Sequence, residues 1–454
     1  MLHYLRRGRG FYKTLFTLTL PIALQNLINQ SLAITDTAML GMVGQSELAA
    51  VTMANSPLFI LMFLVFGFQS GSSILISQYW GKNDTRSINR VMGIGFYTCA
   101  AITFAAACLV VSAPEAVVRL WTNDEKLVML AARYMRVVGF SYFVNSFTLI
   151  YVAAQRSMEN VKFGLFVQLV AMVVNTGFNY IFIFGKLGMP EMGVAGAALG
   201  TLCARVVELL IVVLHAKYND RFRIEWDALL RPGKLMVRDF ARYSLPVVMN
   251  ETLWGTGVSV YPAIFGRLGE TAVAAYTVAG NLDRMLLVLV FGFGSAAAVM
   301  IGKEIGRGNE AQAGEIGISI LIISGIAGII SGVLLCFARP IVYALFNLPG
   351  ETQALCGMML LIVAAAMPFR AMLYSSIVGI LRGGGDVHVA LLIDVLPMYL
   401  FGIPLAWLAA FVWKLPAQYV YGCLALEEVV KNIFAAKRIA SKRWVRNITR
   451  SLDA

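Results

Sequence analysis

The sequence has little charge. Asp, Glu, Lys and Arg make up 14% of its 454 residues, against 59% apolar residues, and mean hydropathy is +0.74. A water-soluble domain carries about 25% charged residues, so a soluble globule of this size would lack the polar surface to coat itself. That argues against a cytosolic enzyme, a secreted domain and a disordered chain. Histidine is nearly absent: His3, His215 and His388 lie far apart near the ends of apolar runs. A histidine-based metal or catalytic centre is therefore not expected. The six cysteines (99, 108, 203, 336, 356 and 423) form no CxxC pair and sit in or beside apolar runs. They read as small buried apolar residues, not as a disulfide frame or zinc site. HExxH, Walker A and serine-elbow patterns are missing too. No enzymatic activity is expected, no cofactor is implied, and ATP is not the direct energy source of this chain.

What the sequence has in abundance is long apolar runs. Crossing about 30 Å of hydrocarbon takes about 20 apolar residues in a helix. About a dozen such runs occur, at approximately 15–40, 49–78, 91–113, 127–153, 163–184, 194–214, 243–264, 273–301, 315–337, 353–380, 389–411 and 417–436. They are too long, and too apolar on every face, for the alternating strands of a membrane barrel. The fold class expected is an all-α membrane protein with twelve transmembrane helices.

The net charge of +12 could suggest nucleic-acid binding, but the basic residues sort by loop. Of the 37 Lys and Arg, 25 fall at the amino-terminal end, in alternate loops and in the tail; six fall in the opposite loops. The positive-inside rule makes this an orientation signal. Both termini are placed in the cytoplasm, with the chain a multi-pass protein of the plasma membrane, the inner membrane of a bacterium. No nucleic-acid partner is expected. No signal peptide is expected either, since the first apolar run is long and no small-residue cleavage site stands out.

The chain repeats itself. Pro21 and Pro246 are 225 residues apart, and at that offset Gly41 meets Gly266, Gly44 meets Gly269 and Ala49-Ala50 meets Ala274-Ala275. Leu64-Val65-Phe66-Gly67-Phe68 meets an identical pentapeptide, Leu289-Val290-Phe291-Gly292-Phe293. Further on, Arg156 meets Arg382 and Met172 meets Met398 at an offset of 226. Two six-helix lobes follow, related by pseudo-twofold symmetry. The amino-terminal lobe takes residues 1–214, a basic cytoplasmic linker 215–242, the carboxyl-terminal lobe 243–436 and a basic tail 437–454. Six is even, so both lobes insert the same way, as in parallel-repeat transporters. A monomer in the lipid bilayer is expected.

The chain resembles the MATE family, the multidrug and toxic compound extrusion transporters. The resemblance is carried by a proline in span one followed by Ala33-Ile34-Thr35-Asp36-Thr37-Ala38-Met39-Leu40-Gly41, by Leu48-Ala49-Ala50, by Gly81 ending span two, and by Leu381-Arg382-Gly383-Gly384-Gly385-Asp386 after span ten. It covers nearly the whole chain. It implies a twelve-helix antiporter that expels amphipathic, mostly cationic compounds in exchange for H⁺ or Na⁺ by alternating access.

Comparing the lobes isolates the charges that break the repeat. Asp36 faces Tyr261, and Glu251 faces Asn26. An ionisable group in hydrocarbon costs about 2.5–3.5 kcal/mol and usually has a task. Asp36 is the first candidate for coupling. Asn175 and Asn179 are four apart, hence on one helix face, and Thr201 lies at a compatible depth in span six. A carboxylate, two amide oxygens and a hydroxyl suit a proton or a hard cation such as Na⁺. The resemblance assigns the same four positions. The structural alternative is that these groups only hydrogen-bond helices together. Glu251 has two readings, a substrate or second-lobe ion site and an ion pair with Arg284. Its place differs by about one turn from the acid in better-known branches, and the acid those branches carry in span ten is missing here.

The remaining charges are expected to be structural: Arg205 with Glu208, Glu427 with Lys431, Arg370 with Asp394, and Asp283 beside Arg284. Pro21 and Pro246 are hinge candidates, or static kinks. Other functions fit the sequence less well. A lipid-linked sugar flippase of the same broad superfamily would favour a basic cavity, which the intramembrane acids oppose. An intramembrane protease built on Gly383-Gly384-Gly385-Asp386 would need a partner aspartate at equal depth, whereas Asp386 falls in a loop.

Overall fold

The structure is a computed structural model that describes residues 2–346 and 349–450. Every described element is helical: α1 Leu2–Leu5, α2 Arg9–Val43, α3 Gln45–Gly81, α4 Thr85–Ser112, α5 Pro114–Val118, α6 Glu125–Ser157, α7 Val161–Phe184, α8 Val194–Tyr218, α9 Trp226–Leu230, α10 Lys234–Gly266, α11 Glu270–Gly306, α12 Glu310–Phe346, α13 Gly350–Tyr374, α14 Val387–Pro397, α15 Ile403–Trp407 and α16 Ala417–Ala440. Of three π-helical stretches, Ser375–Arg382 extends α13, Met398–Gly402 joins α14 to α15 and Leu408–Val412 extends α15. Pro397 and Pro404 flank the second of these. A proline nitrogen cannot donate to the helix ladder, and the wider winding accommodates it.

Among the described residues, nine helical stretches are long and apolar enough to cross a membrane. The three other long helices, α2, α10 and α16, bring the total to the expected twelve. They carry more polar and charged residues along their length, among them Arg9, Lys13 and Asp36 on α2, Arg238, Asp239, Arg242 and Glu251 on α10, and Glu427, Glu428 and Lys431 on α16. Outward-facing residues are apolar as well: α12 exposes Ile326, Ile329, Ile330, Val333, Leu334 and Phe337. Such a band is foreign to a water-soluble monomer and suits lipid.

Helix ends follow local rules. The Asp84 carboxylate caps α4 by accepting from the Ser87 amide (2.9 Å), and Asp124 caps α6 through the amides of Lys126 and Leu127. Gly185 closes α7 in the left-handed region at φ 63°, a conformation glycine adopts without strain.

By contacts the described chain forms two units, Leu24–Val248 and Met249–Ala454 with Met1–Ala23. Helices α2 and α10 each pass from one unit to the other two residues after their proline, Pro21 or Pro246. The repeated pentapeptide explains how each unit accepts the start of the exchanged helix. A Cβ at Gly67 would stand 2.6 Å from Val248 Cα, and one at Gly292 would stand 2.8 Å from the Thr19 carbonyl oxygen. Glycine is required at both crossings because backbone meets backbone there.

Residues 219–233 lie along α4. The Asn89 amide donates to the Arg223 carbonyl (3.2 Å) and its oxygen accepts from the Glu225 amide (3.3 Å). The basic tail carries an anchor that its composition conceals. Trp444 is 1% exposed, and its indole N–H donates to the Ile439 carbonyl. The Arg446 amide donates to the Gly384 carbonyl at 2.9 Å. The tail's last four residues lie outside the described residues.

Candidate functional site

In the Leu24–Val248 unit, α2, α7 and α8 bring Asp36, Asn175, Asn179 and Thr201 into one hydrogen-bonded chain. Asn179 Nδ2 donates to Asp36 Oδ1 at 2.7 Å and to Asn175 Oδ1 at 3.0 Å. Asn175 Nδ2 donates to Thr201 Oγ1 at 3.4 Å, and the Thr201 hydroxyl donates to the Ala197 carbonyl at 3.0 Å. The two asparagines are 2% and 1% exposed. One turn of helix sets them in register along α7. Gly200 makes room for the group, since a Cβ there would stand 2.1 Å from Asn179 Oδ1.

Asp36 receives one N–H, from Asn179, and the remaining donors run away from it, from Asn179 to Asn175, from Asn175 to Thr201 and from Thr201 to the Ala197 carbonyl. Asn179 Oδ1 is buried without a hydrogen-bond partner. A buried amide oxygen left unpaired normally costs about 1–3 kcal/mol, so it is an acceptor in reserve beside the carboxylate. Arg205 acts electrostatically on Asp36 while paired, as expected, with Glu208 at 2.7 Å. Glu208 is 1% exposed.

Other intramembrane charges take different partners from those expected. Glu251 is bound by Arg382, with Nη1 2.6 Å from Oε1, not by Arg284, which is exposed. Arg382 ends the π-helical stretch and is only 2% exposed. The wider winding turns it inward from the loop position its neighbours suggested. Arg370 does not meet Asp394. It lies between Asp283 and Glu428, in contact with the first and 2.7 Å from Oε1 of the second. Asp283 thus goes to Arg370 rather than to its neighbour Arg284. Lys431 pairs with Glu427 at 2.6 Å, as expected, and also with Asp394 at 3.0 Å. Asn250 Nδ2 donates to Asp394 Oδ2 at 2.8 Å, and the Tyr261 hydroxyl donates to Glu427 Oε2 at 2.6 Å. Asp386 is fully buried and held by Arg438 at 2.7 Å and Arg446 at 3.1 Å. It ties the tail to the glycine turn. Among the described residues, no group of three or more His, Cys, Asp or Glu side chains could hold a metal ion.

Twelve long helices in two repeat-related lobes, with charged groups buried among apolar helices, define a polytopic membrane transporter. The MatE family model matches residues 21–181 and 253–408, one segment in each half of the repeat. The chain belongs to this family. It is 22% identical over 435 residues to the uncharacterized transporter YisQ of Bacillus subtilis, covering 95% of both chains. It is 24% identical over 425 residues to a probable multidrug resistance protein NorM of Idiomarina loihiensis, covering 91% of this chain and 90% of the relative. The fold matches the outward-facing structure of a multidrug resistance MATE family transporter of the MOP superfamily. That match has a TM-score of 0.86 at 18% identity, over 97% of this chain and 98% of the other.

Proposed function

We propose that the protein is a secondary active antiporter that exports amphipathic, mostly cationic drugs or toxic compounds in exchange for H⁺ or Na⁺ by alternating access. The observation that carries this reading is the Asp36–Asn179–Asn175–Thr201 chain. It places one carboxylate beside amide and hydroxyl groups, inside helices that are otherwise largely apolar. A proton can bind the carboxylate directly, and Na⁺ would draw on the same oxygens. The names of the relatives support a drug-like cargo, and intramembrane acids favour cations.

In this proposal Pro21 and Pro246 are the hinges. What supports that assignment is the division of the chain two residues beyond each proline. Glu251 enters as the partner of Arg382, at a buried ion pair whose loss would leave an uncompensated charge. The protein acts in the plasma membrane with both termini in the cytoplasm, and the loop distribution of basic residues supports that orientation. The test is ethidium efflux from proteoliposomes under separately imposed H⁺ and Na⁺ gradients. Efflux driven by either gradient is expected, and ethidium movement indifferent to both would end the antiport reading.

A further inference from the structure

The Asp–Asn pair of the Leu24–Val248 unit has a counterpart in the other unit, with acid and amide exchanged between helices. In the first unit the aspartate is on α2 (Asp36) and the asparagine on α7 (Asn179). In the second the asparagine is on α10 (Asn250) and the aspartate on α14 (Asp394). Helices α2 and α10 are repeat equivalents, as are α7 and α14. At the repeat offsets Asn250 falls at Gln25 and Asp394 at Gln168, each eleven residues before its analogue. Eleven residues are about three turns, so the pair keeps the same helix faces. The shift is equal on both helices, which preserves the pairing.

The position matching Asp36 is also occupied by chemistry. Tyr261 stands there and donates to Glu427, which falls at the position of Thr201, while Lys431 falls at that of Arg205. Glu427 is 4% exposed and Lys431 2%. Lys431 bridges Glu427 and Asp394. Two carboxylates and one ammonium leave one negative charge uncompensated among buried groups. Of the other charges on neighbouring elements, Arg370 of α13 is itself shared by two acids, Asp283 and Glu428, and Arg382 is paired with Glu251 while acting on Asp394 only through space. Asn250 is 1% exposed and its Oδ1 has no hydrogen-bond partner. It is an acceptor that lacks a donor. A half-turn of the amide would present it to a protonated Asp394.

We propose that Asp394, with Asn250, Lys431 and Glu427, is a second proton-binding site, so that each repeat carries one. The Lys431 ammonium already lies between the carboxylates as a built-in counter-ion, which leaves a proton rather than a metal ion to balance the charge. Binding needs only one bond, between the proton and a carboxylate oxygen, with Lys431 then held by Glu427 alone. The transport role of the site rests on the antiport reading above; its protonation does not.

The test uses the full chain in liposomes. Difference infrared spectra between acidic and alkaline buffer should show carboxylic-acid C=O bands. Asp394→Asn should remove one component that Asp36→Asn retains. Asp394→Asn leaves Glu427 and Lys431 balanced, so the fold should survive. Asn250→Val keeps the acid and should move the same component to the frequency of an unbonded carboxylic acid, which covers a failure of the first variant to fold. Bands unchanged in Asp394→Asn, or unmoved in Asn250→Val, would overturn the proposal. Ethidium flux at a clamped potential should show one proton fewer per ethidium in Asp394→Asn. Should ethidium not move under any gradient in the unaltered protein, antiport fails while the infrared result still decides the site.

Discussion

Asn179 and Asp36, 143 residues apart in the chain, meet at 2.7 Å in the interior of one lobe. The amide gives its N–H to the carboxylate and to Asn175, and its own oxygen stays unpaired. A purely structural helix clamp would have both ends of the amide satisfied. This one is half-used, and its unused half is an acceptor.

Asp36→Asn should therefore separate fold from function. The variant keeps the size of the side chain and a partner for Asn179, and it removes the charge that costs about 2.5–3.5 kcal/mol to hold in hydrocarbon. Expression and thermal stability should be equal to or above those of the unaltered protein. Ethidium efflux driven by H⁺ or Na⁺ should fall to background. Retention of unaltered rates would remove Asp36 from the mechanism.

The asparagines discriminate between the two ions. If Na⁺ is held here, Asn175→Ala and Asn179→Ala each remove an oxygen ligand. A hydrogen bond or ligand to a charged group contributes about 1.5–3 kcal/mol, so the half-saturating Na⁺ concentration should rise roughly tenfold to a hundredfold. Binding of the organic cation should change less. Transport driven only by H⁺ and indifferent to Na⁺ would dismiss the Na⁺ site and leave Asp36 untouched.

The legibility of these groups in the sequence follows from helix geometry. Asn175 and Asn179, Arg205 and Glu208, and Glu427 and Lys431 are three or four residues apart, and that spacing alone fixes a shared face. Partners on different helices were harder, because sequence gives a residue's depth but not the rotation of its helix. Glu251 and Arg284 lie at similar depths, yet Arg382 makes the pair from a π-helical stretch whose winding no 3.6-residue pattern anticipates. The twelve spans were readable from composition, since lipid imposes one requirement on them all. The exchange of α2 and α10 between units was not readable, although its trace, the repeated pentapeptide, was in view.

That trace has a measurable consequence. Gly67→Val would set a branched side chain against the Val248 backbone, where even a Cβ stands 2.6 Å from Cα. Overpacking of this kind costs about 1–3 kcal/mol. Gly292→Val should cost a similar amount against Thr19, because the two crossings are repeat equivalents. Gly177→Ala is the control: nothing lies within 4 Å of its added Cβ, and alanine favours a helix by about 0.5–1 kcal/mol. Thermal unfolding in detergent should show both valine variants lowered and the alanine variant unchanged or raised. Equal midpoints for all three would show that the crossings tolerate bulk.

The tail offers the last test. Trp444 packs on the glycine turn so closely that a Cβ at Gly384 would stand 2.3 Å from its ring. Asp386 beneath it is held by Arg438 and Arg446. Truncating a buried tryptophan costs about 3–5 kcal/mol, more than the individual hydrogen bonds and ion pairs that also tie this segment down, such as the Arg446 amide to the Gly384 carbonyl and the Asn447 side-chain amide to the Ile305 carbonyl. Trp444→Ala should release residues 441–450 while the helices stay intact. Limited trypsin digestion with mass spectrometry should then find cleavage after Arg443 and Arg446 at least tenfold faster than in the unaltered protein, with the helical circular dichroism signal unchanged. Asp386→Asn, which removes the carboxylate shared by the two arginines, should act in the same direction and more weakly. Cleavage at the unaltered rate in Trp444→Ala would mean that the tail is held by something other than its tryptophan.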